Sequence, residues 1–164
     1  MTYFPNTPAS PADECIAILK AMEPLSPTKS TGGRTFAMGA VVKVTLRLIV
    51  TEQRSFVVVD DPLPAGFQII NTSLQTESTE LAQTLESMRS EETQQRWWGS
   101  FNYHEWKDDR VVLVADQLRA GIHTFIYLAR AITPGTFAVP PTHAEMMYEP
   151  DVFGRTGMTT IEIR

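Results

Sequence analysis

Apolar and polar residues alternate along much of the chain from residue 40 onward. In VVKVTLRLIV (41–50), Val42, Val44 and Leu46 share one face, and Lys43 lies on the other. Successive side chains of a strand point to opposite faces, so this segment predicts a strand with one buried face. Similar apolar runs predict further strands at 55–60, 67–70, 100–106, 111–116, 122–131, 136–139 and 158–164.

About eight short strands separated by turn residues are typical of a β-sandwich or barrel. The turn DPLPAG (61–66) supports this spacing, because proline fixes φ and has no N–H to donate to a ladder. We therefore predict an all-β fold, an antiparallel β-sandwich of about eight strands.

The period changes around residues 72–98, between two of the predicted strands. Leu81, Leu85 and Met88 recur at helical spacing, and glutamate and glutamine fill the other positions. We expect one helical or irregular excursion from the sandwich here.

The first 39 residues have a different composition from the rest. Prolines and two glycines surround one short apolar run, CIAILKAM (15–22), which fits either a helix or a strand. We assign residues 1–39 to a lead-in segment and residues 40–164 to the sandwich domain.

Composition narrows the possible partners. The chain has 164 residues, a net charge of −5 and 43% hydrophobic residues, which is a globular composition. Nucleic-acid binders need clustered Lys and Arg, so we expect no nucleic-acid partner. No run approaches the ~20 apolar residues of a membrane span, and the N-terminus lacks a signal-peptide pattern, so we expect no direct membrane insertion. Cys15 is the single cysteine and can form no internal disulfide.

No catalytic or metal-binding motif emerges from the sequence. His104, His123 and His143 are scattered, and neither HEW nor HAE continues into a zinc-binding pattern. The pairs Asp60–Asp61 and Asp108–Asp109 fall at predicted turns, where aspartate caps its own backbone. We predict no catalytic residue, no metal site and no cofactor: the chain is not an enzyme.

The segment PPTHAEMMYEPDVFGR (140–155) fits neither a regular strand nor a helix. Prolines bound it, and it reads as an ordered loop with unusually large apolar residues at Met146, Met147 and Tyr148. These side chains either fill the end of the domain's own core or form an interface with a partner.

Three stretches resemble the C-terminal domain of bacterial alpha-2-macroglobulins, which are very large protease-trapping proteins outside the cytoplasm. They are VVVDDPLPAGFQIIN (57–71), the segment 104–141 beginning HEWKDDRVVLVADQLRAGI, and HAEMMYEPDVFGRTG (143–157). The similarity runs from about residue 40 to the end and implies a macroglobulin-like antiparallel sandwich.

In this family a protease cuts a bait segment, and a rearrangement exposes a Cys–Gln thioester that bonds to the protease. Neither the bait region nor the thioester motif is in this chain. The resemblance implies a shielding role, in which this domain packs on the thioester domain of its parent and excludes water until cleavage.

The family's Met–Tyr pair that shields the thioester matches Met147 and Tyr148. We assign Glu145, Pro150 and Phe153 to shaping the loop that presents them. The implied partners are the thioester domain and other domains of the same parent, with proteases indirect, and the implied location is periplasmic or extracellular, as part of bacterial defence.

Two other function classes stay open. One is a structural or adhesive sandwich module of a surface protein, which needs no exposed apolar patch at 145–153. The other is a small-ligand-binding sandwich with a pocket lined by Trp106, His123 and Tyr127.

Overall fold

Among the residues that the structure describes, strands are the regular secondary structure. The computed structural model describes residues 10–25, 34–70 and 100–164, and these residues contain thirteen strands and no helix. The strands are β1 (Ala12–Glu14), β2 (Ile16–Pro24), β3 (Thr35–Phe36), β4 (Val41–Val50), β5 (Arg54–Pro62), β6 (Phe67–Ile70), β7 (Tyr103–Trp106), β8 (Arg110–Leu118), β9 (Gly121–Ala131), β10 (Gly135–Val139), β11 (His143–Met146), β12 (Glu149–Arg155) and β13 (Thr159–Ile163).

Three sheets organise these strands. The largest has six strands in the order β1-β12-β11-β5-β8-β7, and the second has four in the order β2-β4-β9-β6. A small third sheet has the order β10-β13-β3. Neighbours pair antiparallel, apart from the short parallel pair of β3 with β13.

The core lies between the six-stranded and four-stranded sheets. As the alternation predicts, β4 buries its even-numbered residues, Val42 through Val50, and leaves Arg47 exposed. Inward side chains of the opposite sheet, including Val57, Val59 and Leu113, belong to the same continuous cluster. Burial of this apolar area is the main stabilising contribution, at roughly 25 cal/mol per Å² removed from water.

The predicted all-β antiparallel sandwich is therefore confirmed, but the strand count is higher than expected. The additional strands are β1, β2, β3, β11 and β12. Strands β1, β3 and β11 have only two to four residues, too few for alternation to be recognised, and β12 contains a proline. The apolar run of β2 fits a helix as well as a strand in the sequence. The excursion predicted around 72–98 lies outside the described residues. In the part of the chain that is described, no helix is long and apolar enough to cross a membrane.

Residues 12–24, within the lead-in assignment, form two strands of the sandwich. Cys15 separates them with a φ of 70°, and the chain changes sheet there: β1 pairs with β12, whereas β2 pairs with β4. The run CIAILKAM is thus mostly strand, with Ile16 and Ile18 buried in the core. Residues 1–9 and 26–33 lie outside the described residues.

The backbones of the two sheets come close together where β12 passes over the start of β2. Gly154 of β12 lies so close to Ile16 that a Cβ built on it would overlap the Ile16 carbonyl oxygen and lie 2.9 Å from the carbonyl carbon. Real Cβ atoms essentially never come this close to backbone, so the crossing requires glycine.

Candidate docking site

Residues 143–155 of the segment 140–155 form a β-hairpin, so the expectation of an ordered loop is wrong there. Strand β11 pairs with β5 on one side and with β12 on the other. Ala144 and Met146 face the core, so the strand does alternate, but it has only four residues. The prolines at 140, 141 and 150 obscured this short pattern in the sequence.

Met147 and Tyr148 are the two residues of the hairpin turn, since Met146 pairs with Glu149 across it. The Met147 N–H donates to the carbonyl oxygen of Phe56 at 2.8 Å, which ties the turn to β5. Met147 is 51% exposed and Tyr148 is 78% exposed, whereas Met146 is only 9% exposed. Met146 thus belongs to the core, and its two neighbours face solvent.

An irregularity in β12 explains how the turn fits Pro150. Glu145 pairs with Phe153 and Met146 with Glu149, so residues 150–152 have no partner on β11 in this register. A bulge of this kind leaves N–H groups unpaired, and proline has none to lose. Pro150 therefore lies, exposed, at the irregular point of the strand.

Below the turn, Glu145 and Phe153 lie on the outward face of the hairpin together with His143. His143 Nε2 is 3.1 Å from Glu145 Oε2, and the rings of His143 and Phe153 stack at 5.8 Å between centroids. Phe153 also pairs with Glu14 of β1. Sequence reasoning did not include His143 in this group, although its i, i+2 spacing to Glu145 places both side chains on one face of a strand.

Phe56 is a neighbour of the turn that the sequence did not reveal. Its ring packs edge-to-face on Tyr148, with centroids 5.3 Å apart and an interplanar angle of 87°. It is 44% exposed and has a φ of 53°. Phe56 is distant in sequence from Met147 and Tyr148, so a local sequence pattern could not predict that the three residues lie together.

Asp61 corrects another sequence interpretation. It is not a turn residue capping its own backbone, because it lies in β5 and is fully buried. Its Oδ1 accepts from Lys20 Nζ at 2.6 Å and from Thr142 Oγ1 at 2.5 Å, and its Oδ2 accepts from the Tyr127 hydroxyl at 2.5 Å. A buried carboxylate needs such partners, since an unpaired charge in the interior is strongly unfavourable.

This network joins the two main sheets. Lys20 and Tyr127 belong to the four-stranded sheet, Asp61 belongs to the six-stranded sheet, and Thr142 immediately precedes β11. Burial raises the pKa of the Tyr127 phenol well above its usual value, and the negative charge of Asp61 adds to the effect. Tyr127 is therefore a hydrogen-bond donor at neutral pH.

The other residues considered for chemistry are separated from one another. His123 contacts Ser100 Oγ through Nδ1 and the Arg119 carbonyl through Nε2, both at 2.7 Å. His104 packs against the ring of Trp106. Within the described residues, no group of three His, Cys, Asp or Glu is arranged to hold a metal ion.

The pocket considered for a small ligand is a packed region. Trp106 and Tyr127 lie 6.1 Å apart, each also 6.1–6.2 Å from Phe125. Tyr127 is 2% exposed and its hydroxyl is bonded to Asp61. Tyr127 thus belongs to the core, and Trp106 is partly buried and packs against it, which gives the ligand hypothesis no support.

The fold is that of a macroglobulin-type domain. The trypsin-activated alpha-2-macroglobulin of Escherichia coli, a solved structure, superposes with a TM-score of 0.82 and 28% identity, over 98% of this chain and 11% of that one. The chain matches the family described as the bacterial alpha-2-macroglobulin MG10 domain over residues 16–151. It belongs to that family.

Curated relatives with similar sequences support this family membership. An alpha-2-macroglobulin homolog of Nostoc is 34% identical over 122 residues, and the alpha-2-macroglobulin of Escherichia coli is 33% identical over 122 residues. Each alignment covers 74% of this chain. The chain spans only 6% and 7% of the length of these two relatives.

Proposed function

We propose that this chain is a non-catalytic domain, at the C-terminal end, of a bacterial protease-trapping alpha-2-macroglobulin. It packs against the thioester domain of the same parent and keeps the thioester away from water until a protease cleaves the parent. The parent is exported to the periplasm or beyond, in bacterial defence. Proteases are indirect partners, and the role needs no cofactor, metal, nucleic acid or membrane contact.

The observation that carries this proposal is the outward presentation of Met147 and Tyr148, 51% and 78% exposed, on a short anchored turn. Water and amines destroy a thioester, so its cover must exclude solvent without carrying a nucleophile that reacts readily. A thioether and a neutral phenol meet that requirement, and the phenol hydroxyl can bond at the polar edge of the site.

The anchoring of the turn also suits docking. A side chain presented from a paired hairpin loses less conformational freedom on binding than one from a free loop. The family membership and the similarity to a trypsin-activated alpha-2-macroglobulin support the link to proteases. The much greater length of the relatives supports other domains of one parent as the partners.

The test is Tyr148→Gly in the full-length parent, with the lifetime of the thioester toward methylamine as the measurement. Burying a large side chain contributes roughly 1.5–3 kcal/mol, and 1.4 kcal/mol corresponds to a factor of ten. We therefore expect thioester loss about tenfold faster or more.

Tyr103→Gly is the matched control. Tyr103 is also an exposed tyrosine, at 56%, but it lies on β7, at the far edge of the six-stranded sheet. It should leave the thioester lifetime unchanged. An unchanged lifetime in Tyr148→Gly would refute the shielding role and favour the structural or adhesive module instead.

A further inference from the structure

The geometry points to Phe56 as a positioning residue of the docking site, one that holds the Tyr148 ring in the orientation in which it meets the partner domain. This inference rests on the docking role proposed above. It adds a residue from β5, which lies about ninety positions before the hairpin in the sequence.

The first observation is the backbone of Phe56. Its φ of 53° lies in the left-handed region, where a bulky residue with a Cβ is rarely found. Asparagine or glycine would adopt this conformation more readily. A phenylalanine in such a position indicates that its ring has a use there, since the local backbone alone favours other residues.

The second observation is what this conformation places together. The Phe56 carbonyl accepts from the Met147 N–H at 2.8 Å, and the Phe56 ring meets the Tyr148 ring edge-to-face at 5.3 Å. Phe56 thus holds the backbone of the turn through its carbonyl and contacts one edge or face of the Tyr148 ring through its own ring. Edge-to-face is a preferred geometry for aromatic pairs, so the contact restricts the orientation of Tyr148.

The third observation is exposure. Phe56 is 44% exposed, and the registers of β5 with β11 and β8 give Phe56 itself no partner residue. Its ring faces outward and not into the core. Val57, the next residue, is fully buried. Phe56 can therefore be changed without opening a cavity in the core.

The experiment compares Phe56→Asn with Phe56→Tyr. Asparagine tolerates the left-handed backbone but removes the ring, whereas tyrosine keeps the ring. In the 164-residue chain we expect the NMR shifts of the Tyr148 ring to move toward those of a free tyrosine in Phe56→Asn and to stay near wild type in Phe56→Tyr. The denaturation midpoint should not fall in either variant. Unchanged Tyr148 shifts in Phe56→Asn, or a lowered midpoint, would overturn the positioning role.

A second measurement uses the thioester lifetime of the full-length parent. The strength of an aromatic pair predicts about three- to tenfold faster thioester loss in Phe56→Asn than in the wild type. The double variant that carries both Phe56→Asn and Tyr148→Gly should lose the thioester no faster than Tyr148→Gly alone. If Tyr148→Gly speeds the loss and Phe56→Asn does not, the role of Phe56 is refuted and the shielding role stands. Additive effects would also refute it, because Phe56 would then act without Tyr148. If Tyr148→Gly has no effect, the shielding role fails, and the NMR result then tests only whether Phe56 orients the Tyr148 ring.

Discussion

Replacing Gly154 with alanine tests how closely the hairpin strand β12 passes over β2. The added methyl group would overlap the carbonyl oxygen of Ile16 and lie 3.2 Å from Cγ1 of Ile18. The Ile16 carbonyl oxygen is a backbone atom, so it cannot avoid the methyl group by a side-chain rotation. Gly154 itself pairs with Asp13 of β1 and with Ala144 of β11, so β12 is held on both sides.

The expected loss of unfolding free energy follows from the distance by which β12 must move away from β2. Relieving the overlap requires a shift of about 1 Å, and overpacking of this kind costs about 1–3 kcal/mol. Such a shift also weakens about two ladder hydrogen bonds, each contributing about 1 kcal/mol. The expected loss is roughly 3–5 kcal/mol, or about 6–20 °C in Tm for a domain of this size.

Urea denaturation of the 164-residue chain, followed by circular dichroism, measures the loss. Gly39→Ala is the control, because a Cβ at Gly39 has nothing within 4 Å but its φ is +82°. That variant should lose only the cost of a left-handed alanine, about 1–2 kcal/mol. If Gly154→Ala is no more destabilising than Gly39→Ala, the close crossing of β12 and β2 is incorrect.

Two further predictions concern the buried network. Lys20→Met should lower the free energy of unfolding, measured by urea denaturation, by about 3 kcal/mol, because it leaves the Asp61 charge buried without its cation. The control Lys43→Met removes a surface ion pair with Glu23 and should change that free energy by no more than about 0.5 kcal/mol. Equal losses in the two variants would contradict the description of the network. In an alkaline titration followed by phenolate absorbance, Tyr127 should remain protonated above pH 10, since its pKa is raised. The resulting stabilisation is complete below the unfolded-state pKa of about 10 and is lost as pH rises through the folded-state value. Titration of Tyr127 near pH 10 in the folded chain would show that its hydroxyl is not buried against Asp61.

The long strands of the sandwich were predictable because their alternation is uninterrupted. Strand β4 has ten residues and one apolar face, and no other local structure explains that pattern. The hairpin β11–β12 was not predictable, because β11 has four residues and β12 begins at a proline-containing bulge. Tertiary pairing with β5 decides its structure, and a local pattern does not contain that information.

The candidate site shows the same division. The family resemblance suggested Met147 and Tyr148 as interface residues, whereas the local pattern did not predict that they lie on a hairpin turn. Phe56 and Asp61 depend on contacts between segments far apart in the chain. Asp61 in particular follows a hydrophobic run and precedes a proline, which is typical of a turn acid. Only the position of Lys20, Tyr127 and Thr142 around it shows that it is buried.

The bonding of Asp61 to both sheets and to Thr142 has a mechanical consequence for the hairpin. The hairpin begins directly after a residue fixed in the core, its turn is bonded to β5, and its second strand crosses β2 at Gly154. These attachments restrict movement of the hairpin relative to the rest of the sandwich. We therefore expect release of Tyr148 from the proposed partner domain to move the whole sandwich as a rigid body, driven by changes outside this domain.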